Sequence, residues 1–560
     1  MPKKEHAKLN KFKNYLVVYF GKFSFVGLLL AFIFFLLSML PSLLPRPWLY
    51  QGLISGLSMA VGYGIGVLIS KFIRWLLEKE LPKNIKTISW KVLLISGPLL
   101  MLVFLYQGAS WQNQVRQLVG EQPLDARHSI RILLISILLF VVLVSLARVI
   151  RRLNRAVNKF FAKFLPHKVS IVIGVTLVVI IMVLLLRGVV FDTFVNQSNK
   201  IYSSKNNTTP EGVTPPTSPY RSGSPESLVS WDSLGYQGKN FVARGPNQQQ
   251  LESFTGQKPK EQIRIYSGVN SAQSPKERAD LAVAELKRTN AFSRKVLVVA
   301  TVTGTGWLEP QSIDSIEYMY GGDTAIVGQQ YSYLPSWISF LVDQQNAINA
   351  GQELFNAVYK EWSVLPVENR PKLLVYGLSL GSFGGQSAFT TAGNITSLVD
   401  GTLFMGTPSS TTLWNNITDN RDSGSPEWQP VYENGKSVRF AATNEDIQKN
   451  QQNWQFPRVL YMQHASDPVV WFNFDLLLEK PDWLSEPLGP DVSSKMQWYP
   501  FVTFFQVTVD QFFGVTVPNG HGHNYPNTIV NSWSSVANPP NWNQSQATKL
   551  QGIINSYSNE

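Results

Sequence analysis

The chain has 560 residues, of which 44% are hydrophobic, and a net charge of +12 at pH 7. Its length exceeds what one ordinary hydrophobic core organises, so at least two structural units are expected. Cysteine is absent, which excludes disulfides, zinc–thiolate sites and a cysteine nucleophile. The positive charge lies mainly in short blocks between apolar runs, a pattern typical of membrane topology, and we therefore expect no nucleic acid partner.

The first third of the chain carries five apolar stretches that meet the length of roughly 18–20 residues needed to cross a bilayer. They cover approximately residues 23–40, 49–70, 90–109, 130–147 and 169–190. The second stretch is rich in glycine, which favours close helix packing in lipid. The sequence thus predicts an α-helical transmembrane bundle of about five spans, forming an N-terminal domain over residues 1–195.

Lysine and arginine are concentrated in alternate connections of this domain. The basic blocks lie at the N-terminus, over residues 71–91 and over residues 148–168, whereas the other two connections carry fewer cations. The positive-inside rule then predicts a multi-pass protein of the cell membrane with a cytoplasmic N-terminus. Five spans would place everything after residue 195 outside the cell, and one re-entrant span would invert that ending.

After the last predicted span, the composition and the hydrophobic pattern of the chain change twice. Residues 196–230 are rich in Ser, Thr, Asn and Pro without apolar periodicity, which predicts a flexible tether. Over residues 231–560, apolar runs such as 294–304 and 371–377 alternate with stretches of helical periodicity. This alternation predicts a domain with a mostly parallel sheet and helices on both faces.

Residues 377–381, Gly-Leu-Ser-Leu-Gly, directly follow the predicted strand 371–377. A sharp strand-to-helix turn of this kind lifts its central serine above a sheet, and flanking small residues let the backbone pass. The motif alone is weakly specific. The buried strand before it and the small-residue helix start after it favour Ser379 as a nucleophile over a structural turn.

A serine nucleophile requires a histidine base oriented by an acid, in the chain order Ser, acid, His. Asp467 follows the next suitable strand end and is the leading acid, with Asp475 and Asp510 as rivals. Two of the six histidines, His521 and His523, lie in the Gly-rich segment 518–526. Either fits the base, and residues 522–526 resemble the Gly-His-x-aromatic-Pro end of several secreted serine esterases, a resemblance that favours His523.

The oxyanion produced by serine attack needs backbone donors. The N–H of Leu380, next to the serine, is one candidate, and the loop Thr303–Trp307 with Gly306 is a source of the second. A metal site built from His464, Asp467 and the two late histidines is an alternative. The triad accounts for the serine turn as well, so we expect no metal and no cofactor.

The sequence resembles bacterial membrane-anchored α/β-hydrolases that combine a multi-span N-terminal domain with a C-terminal catalytic domain. The resemblance rests on the following segments: TGTGW (303–307), QYSYLPSW (330–337), the turn 377–381, QHASDPVVW (463–471) and GHGHNY (520–525). It implies an α/β-hydrolase fold and a serine triad. Leu378 stands where that family often has a glutamate.

These patterns predict a serine esterase, lipase or acyltransferase at the outer face of the membrane. Its expected partners are membrane lipids and a substrate that is a lipid or an acylated cell-envelope ester. The alternative is a transport or sensing protein whose outer domain is an inactive hydrolase fold, because five spans exceed what anchoring requires.

Overall fold

The computed structural model describes residues 17–77, 82–123, 128–449 and 453–557. The chain forms two compact units. The first comprises Met1–Val183, Phe474–Leu484 and Val492–Phe512, and the second comprises Leu184–Asn473, Ser485–Asp491 and Phe513–Glu560. The N-terminal lysine block lies outside the described residues.

The first unit is built from long apolar helices. They span Phe25–Ser38, Trp48–Leu77, Lys83–Leu118, His128–Phe161 and His167–Leu184. The second unit begins with a π-helical stretch, Leu185–Phe191, and the helix Asp192–Asn206. Within the described residues, four helical runs are long and apolar enough to cross a membrane: 48–77, 84–118, 130–161 and 167–206. The first predicted span is shorter than expected.

The helix Phe25–Ser38 has 14 residues. At about 1.5 Å per residue it extends roughly 21 Å, less than the ~30 Å hydrocarbon core of a bilayer. Ser24 caps its start by accepting a hydrogen bond from the Gly27 N–H. It ends ahead of Pro41 and Pro45, which cannot continue a helix.

Four glycines of Trp48–Leu77 lie at helix contacts, as the sequence predicts. A Cβ at Gly52 or Gly56 would overlap Ile135 or Leu139 of the helix His128–Phe161. A Cβ at Gly62 or Gly66 would overlap the backbone of Phe25–Ser38. Two pairs of glycines four residues apart therefore admit two neighbouring helices.

Residues 474–484 and 492–512 belong to the first unit, whereas the sequence predicted them within the catalytic domain. Their helix Val502–Asp510 buries Val502 and Val507 and ends on Asp510. The Asp510 carboxylate accepts hydrogen bonds from the Ser42 hydroxyl (2.5 Å) and the Leu43 N–H (3.2 Å), and it lies 3.6 Å from Arg46 Nε. These contacts between distant segments have no local sequence signal.

The predicted flexible tether is instead ordered and packed within the second unit. Its first part continues the helix Asp192–Asn206. Ser222 donates its N–H to the Arg264 carbonyl, and its hydroxyl accepts from the Tyr266 N–H (3.1 Å). The N–H of Leu228 donates to Glu285 (2.7 Å). The segment is therefore fixed by hydrogen bonds to the edge strand Ile263–Ser267 and to Glu285.

The described residues of the second unit form a seven-stranded parallel sheet in the order β1-β3-β2-β4-β5-β7-β6. Its strands are β1 Ile263–Ser267, β2 Val296–Thr301, β3 Thr324–Gln329, β4 Lys372–Leu378, β5 Gly401–Met405, β6 Val438–Ala441 and β7 Arg458–Met462. All five residues of β1 and β5 are buried, as expected of a sheet covered on both faces.

Two groups of helices cover the sheet. Pro275–Arg288, Gln344–Ser363 and Leu380–Gln386 pack with one another, and Pro310–Met319 packs with Ile529–Ala537 and Gln544–Asn555. Trp533 of the second group lies 5.6 Å from Tyr376 of β4, centroid to centroid. The remaining helices are Gly235–Ala243, Gln248–Thr255, Ser336–Val342, Ala392–Leu398, Thr412–Asp419, Asn444–Gln448 and Pro468–Trp471. The predicted α/β architecture is confirmed.

Candidate active site

Ser379 lies at the sharp turn between β4 and the helix Leu380–Gln386. Its φ of 57° and ψ of −124° lie outside the regions a side-chain-bearing residue normally adopts. Its N–H donates to the Met405 carbonyl of β5 (2.9 Å). A Cβ at Gly377 would overlap Gly381, and a Cβ at Gly381 would overlap the Thr301 carbonyl. The strained turn can therefore form because the residues two positions before and after Ser379 are glycines.

Asp467 and His523 meet as an acid–imidazole pair. Asp467 follows the end of β7, and its Oδ2 lies 2.7 Å from His523 Nδ1. The same oxygen accepts from the Tyr525 hydroxyl (2.6 Å), and Oδ1 accepts from the Val469 N–H (2.8 Å). Asp467 is fully buried. These donors fix the carboxylate so that it orients the His523 ring.

The His523 ring lies against Gly406, where a Cβ would overlap its Cε1 and Nδ1 atoms. Gly406 directly follows Met405, the residue that accepts the Ser379 N–H. His523 Nε2 is buried and has no hydrogen-bond partner among the described residues. Serine, imidazole and carboxylate thus lie at the carboxyl ends of the neighbouring strands β4, β5 and β7, with no bond formed between His523 and Ser379. Such bonds are often long or absent before substrate binds.

His521 faces a different carboxylate. Its Nδ1 lies 3.6 Å from Asp491 Oδ2, and its side chain is 28% exposed. Gly520 and Gly522, on either side, adopt positive φ values of 90° and 54°. They allow the tight hairpin in which the Gly520 N–H donates to Asn524 and the Asn524 N–H to His521. Of the two late histidines, the structure pairs His523 with Asp467.

The rival acids lie elsewhere. Asp475, in the turn Phe474–Leu477, and Asp510 both belong to the first unit. Within the described residues, no group of three or more potential ligands has the arrangement of a metal site. His464 instead stacks on Tyr525 at 4.3 Å, and its Nδ1 bonds the Gly522 carbonyl (2.8 Å). Burial lowers the pKa of His464.

The backbone donors predicted for an oxyanion differ in availability. Leu380 is the first residue of its helix, where an N–H has no intrahelical acceptor. The Gly306 N–H, in contrast, donates to the Thr303 carbonyl (2.9 Å), and the Thr303 N–H donates to Trp307 (3.0 Å). The prediction did not anticipate that this loop closes on itself, so Gly306 is engaged in this conformation.

Glu309, which the sequence analysis did not single out, is a buried carboxyl group close to this site. The Tyr376 hydroxyl lies 3.4 Å from its Oε2. Burial raises the pKa of Glu309 to about 7, against the opposing effects of the Tyr376 hydrogen bond and of the charge on His523. Only the place of Glu309 in the segment TGTGWLEP could have pointed to it.

An acid–imidazole pair beside a strained serine is an arrangement suited to nucleophilic acyl transfer. A family profile described as "Alpha/beta-hydrolase family" matches residues 263–550, just over half of the chain, and one described as "Alpha/beta-hydrolase family N-terminus" matches residues 39–246. No curated protein and no solved structure matches the chain significantly. Since the first match covers every strand of the parallel sheet and the serine turn, the chain belongs to the alpha/beta-hydrolase family.

Proposed function

We propose that this membrane protein is a serine hydrolase or acyltransferase that cleaves ester bonds through an acyl-enzyme. The observation that carries the proposal is the hydrogen bond that His523 Nδ1–H donates to Asp467, which leaves His523 Nε2 buried and without a hydrogen-bond partner among the described residues. Family membership supports hydrolase chemistry in general. The catalytic roles of these residues are our inference from the geometry.

In the proposed mechanism, the Ser379 hydroxyl attacks the ester carbonyl while His523 Nε2 accepts its proton. Asp467 stabilises the resulting imidazolium through Nδ1. The Leu380 N–H stabilises the oxyanion of the tetrahedral intermediate. The imidazolium then returns the proton to the leaving alcohol, and an acyl-enzyme remains on Ser379. Attack by water completes hydrolysis, and attack by another alcohol completes acyl transfer.

We propose a lipid or another apolar ester of the cell envelope as the substrate. Membrane helices keep the catalytic domain in a cell's lipid fraction, where such esters are concentrated. We further propose that this domain lies outside the cytoplasm, on the basis of the three basic blocks of the sequence. That side requires the 14-residue helix Phe25–Ser38 to cross a bilayer together with its flanking residues.

Labelling with a fluorophosphonate probe tests the nucleophile and the base. Wild type should be labelled, and Ser379→Ala should not be. His523→Ala should slow labelling on the order of 10⁴-fold or more. The matched controls are Ser387→Ala, which removes a half-buried hydroxyl bonded to the Ile348 carbonyl, and His521→Ala. Both controls should keep at least a tenth of the wild-type rate.

Three outcomes contradict the proposal in different ways. Folded wild type that stays unlabelled favours a transport or sensing role with an inactive hydrolase fold. Labelling that is lost with His521→Ala and kept with His523→Ala assigns the base to His521. A membrane-impermeant probe that labels lysed cells and leaves intact cells unlabelled places the domain in the cytoplasm.

A further inference from the structure

Gly522, between the two histidines, is held on both sides of its backbone by the loop that carries Asp467. Its N–H donates to the Ser466 hydroxyl oxygen (2.8 Å), and its carbonyl accepts from His464 Nδ1 (2.8 Å). The hairpin that contains His523 is therefore joined to the loop that contains Asp467 by bonds separate from the acid–imidazole contact.

The Ser466 hydroxyl has a defined direction. Since the Gly522 N–H can only donate, the Ser466 oxygen accepts from it, and the hydroxyl proton is directed to Asp491 Oδ2. Asp491 is buried, and its oxygen also faces His521 Nδ1 at 3.6 Å. Burial alone would raise the pKa of Asp491, but the nearby His521 and His464 imidazoles and the hydrogen bond from Ser466 outweigh it, so the pKa is lowered. A charged Asp491 thus keeps Ser466 in the orientation that accepts from Gly522.

The opposite side of the hairpin is equally confined. The His523 N–H donates to the Gly514 carbonyl (2.7 Å), and a Cβ at Gly522 would overlap that same carbonyl and the Val517 side chain. The hairpin is fitted between Gly514 and the Asp467 loop. Loss of the Ser466 contact would leave the His464 bond as the remaining link from that loop to the Gly522 backbone, so the hairpin that carries His523 would be held less firmly against Asp467.

We propose that Ser466 and Asp491 are positioning residues, which set the location of His523 through the Gly522 N–H. This inference rests on the proposed function, because it assigns a purpose to His523 as the base. Neither residue contacts the reacting atoms. Their effect is to hold the imidazole within reach of both Asp467 and Ser379.

The test compares Ser466→Ala with Ser315→Ala, which removes another buried hydroxyl, one bonded to the Gln311 carbonyl of its own helix. Fluorophosphonate labelling rates are measured from pH 5 to 9, and kcat and KM are measured with a p-nitrophenyl ester. A misplaced base costs on the order of 10- to 100-fold in rate, so Ser466→Ala should lower kcat and the labelling rate by that factor with KM nearly unchanged. Ser315→Ala should match wild type.

The pH profile separates positioning from a general loss of structure. An imidazolium that no longer meets Asp467 is less stabilised, so the acidic limb of the Ser466→Ala profile should move to lower pH. Asp491→Asn keeps an oxygen that accepts from Ser466, whereas Asp491→Ala does not. The asparagine variant should therefore retain several-fold more activity than the alanine variant.

If folded Ser466→Ala is labelled at the wild-type rate and the acidic limb of its pH profile does not move, the positioning role is wrong. If Ser466→Ala fails to fold, equal rates for Asp491→Asn and Asp491→Ala would overturn it instead. Wild type that reacts with neither probe nor ester contradicts the proposed function itself, an outcome distinguishable from both.

Discussion

Single residues divide into those with a local sequence signal and those without. Ser379 and Asp467 follow predicted strands, and His523 lies in a Gly-rich segment after them, so the chain order Ser, acid, His made these three the leading candidates. Asp491 lies in a Pro-Asp-Val-Ser segment with no periodic pattern, and its partners Ser466 and His521 are distant in the chain. Gly306 was selected for its conformational freedom, but this freedom is used in a closed turn.

Glu309 leads to a prediction about pH. Its pKa is raised from 4.5 to about 7, chiefly by burial, so the folded state keeps a proton that the unfolded chain releases. Its contribution to stability is complete below pH 4.5, falls as the pH rises toward 7 and is lost above it. Glu309→Gln is neutral at every pH. Its thermal midpoint should therefore rise relative to that of wild type as the pH is raised from 5 to 8.

Glu368→Gln is the control for this prediction, because it removes an exposed carboxylate from the turn Val367–Asn369. Its difference in midpoint from wild type should stay constant over the same range. A constant difference for Glu309→Gln as well would show that Glu309 ionises similarly in the folded and unfolded states.

At the scale of elements, the strand–turn–helix around Ser379 was predictable because its signal is local: a buried strand, two glycines and a small-residue helix start. The segment 196–230 was not, because composition records only that its side chains are polar. The Ser222 hydroxyl, for example, accepts from the Tyr266 N–H of β1 and donates to the Glu285 carboxylate of Pro275–Arg288, partners that lie 44 and 63 residues away. Pro41 and Pro45 limit the length of Phe25–Ser38. Hydropathy averaged over a span-length window does not detect them.

The close approach at Gly381 predicts a large effect of a single methyl group. Gly381→Ala places a Cβ against the Thr301 carbonyl, so the backbone must shift, and overpacking of this kind costs about 1–3 kcal/mol in the free energy of unfolding. Thermal unfolding should show this loss, and fluorophosphonate labelling should slow because the serine turn moves.

Gly552→Ala is the matched control. Gly552 lies in the helix Gln544–Asn555 with no atom within 4 Å of an added Cβ. The same substitution there should raise the free energy of unfolding by about 0.5–1 kcal/mol through helix propensity. Equal effects at the two positions would contradict the close approach at the serine turn.

At the scale of the whole molecule, the sequence predicted two structural units but placed their boundary at one point. The structure assigns residues 474–484 and 492–512 to the helical unit. No composition change marks these segments, since apolar residues fill catalytic cores and membrane units alike. Their assignment depends on contacts such as that of Asp510 with Ser42, which lies 468 residues away.

Asp510 and Arg46 are both fully buried, and burial raises the pKa of Asp510 to about 6 despite the nearby guanidinium. Asp510→Ala leaves the Arg46 charge buried without its carboxylate, and such a loss costs about 3–5 kcal/mol. We expect a lower thermal midpoint in detergent micelles. The double variant Arg46→Met/Asp510→Leu removes both charges, and its thermal midpoint should return most of the way to that of wild type.

If the single variant unfolds at the wild-type temperature, the carboxylate is not needed to balance Arg46. If the double variant is as unstable as the single one, the lost hydrogen bonds of Ser42 and Leu43 or the altered packing, rather than the unbalanced charge, explain the loss. Each outcome is measured on the full chain, so the fluorophosphonate labelling of the same samples reports whether the second unit is still folded.

The pairing of Arg46 with Asp510 also fixes an order of events during biosynthesis. A ribosome adding about 5–20 residues per second needs roughly 20 to 90 seconds to pass from the first of these residues to the second. Throughout that interval the newly inserted helices hold a guanidinium whose counter-charge has not yet been translated. The helical unit can therefore reach its final form only after almost the entire polypeptide, including all seven strands and Asp467, has emerged.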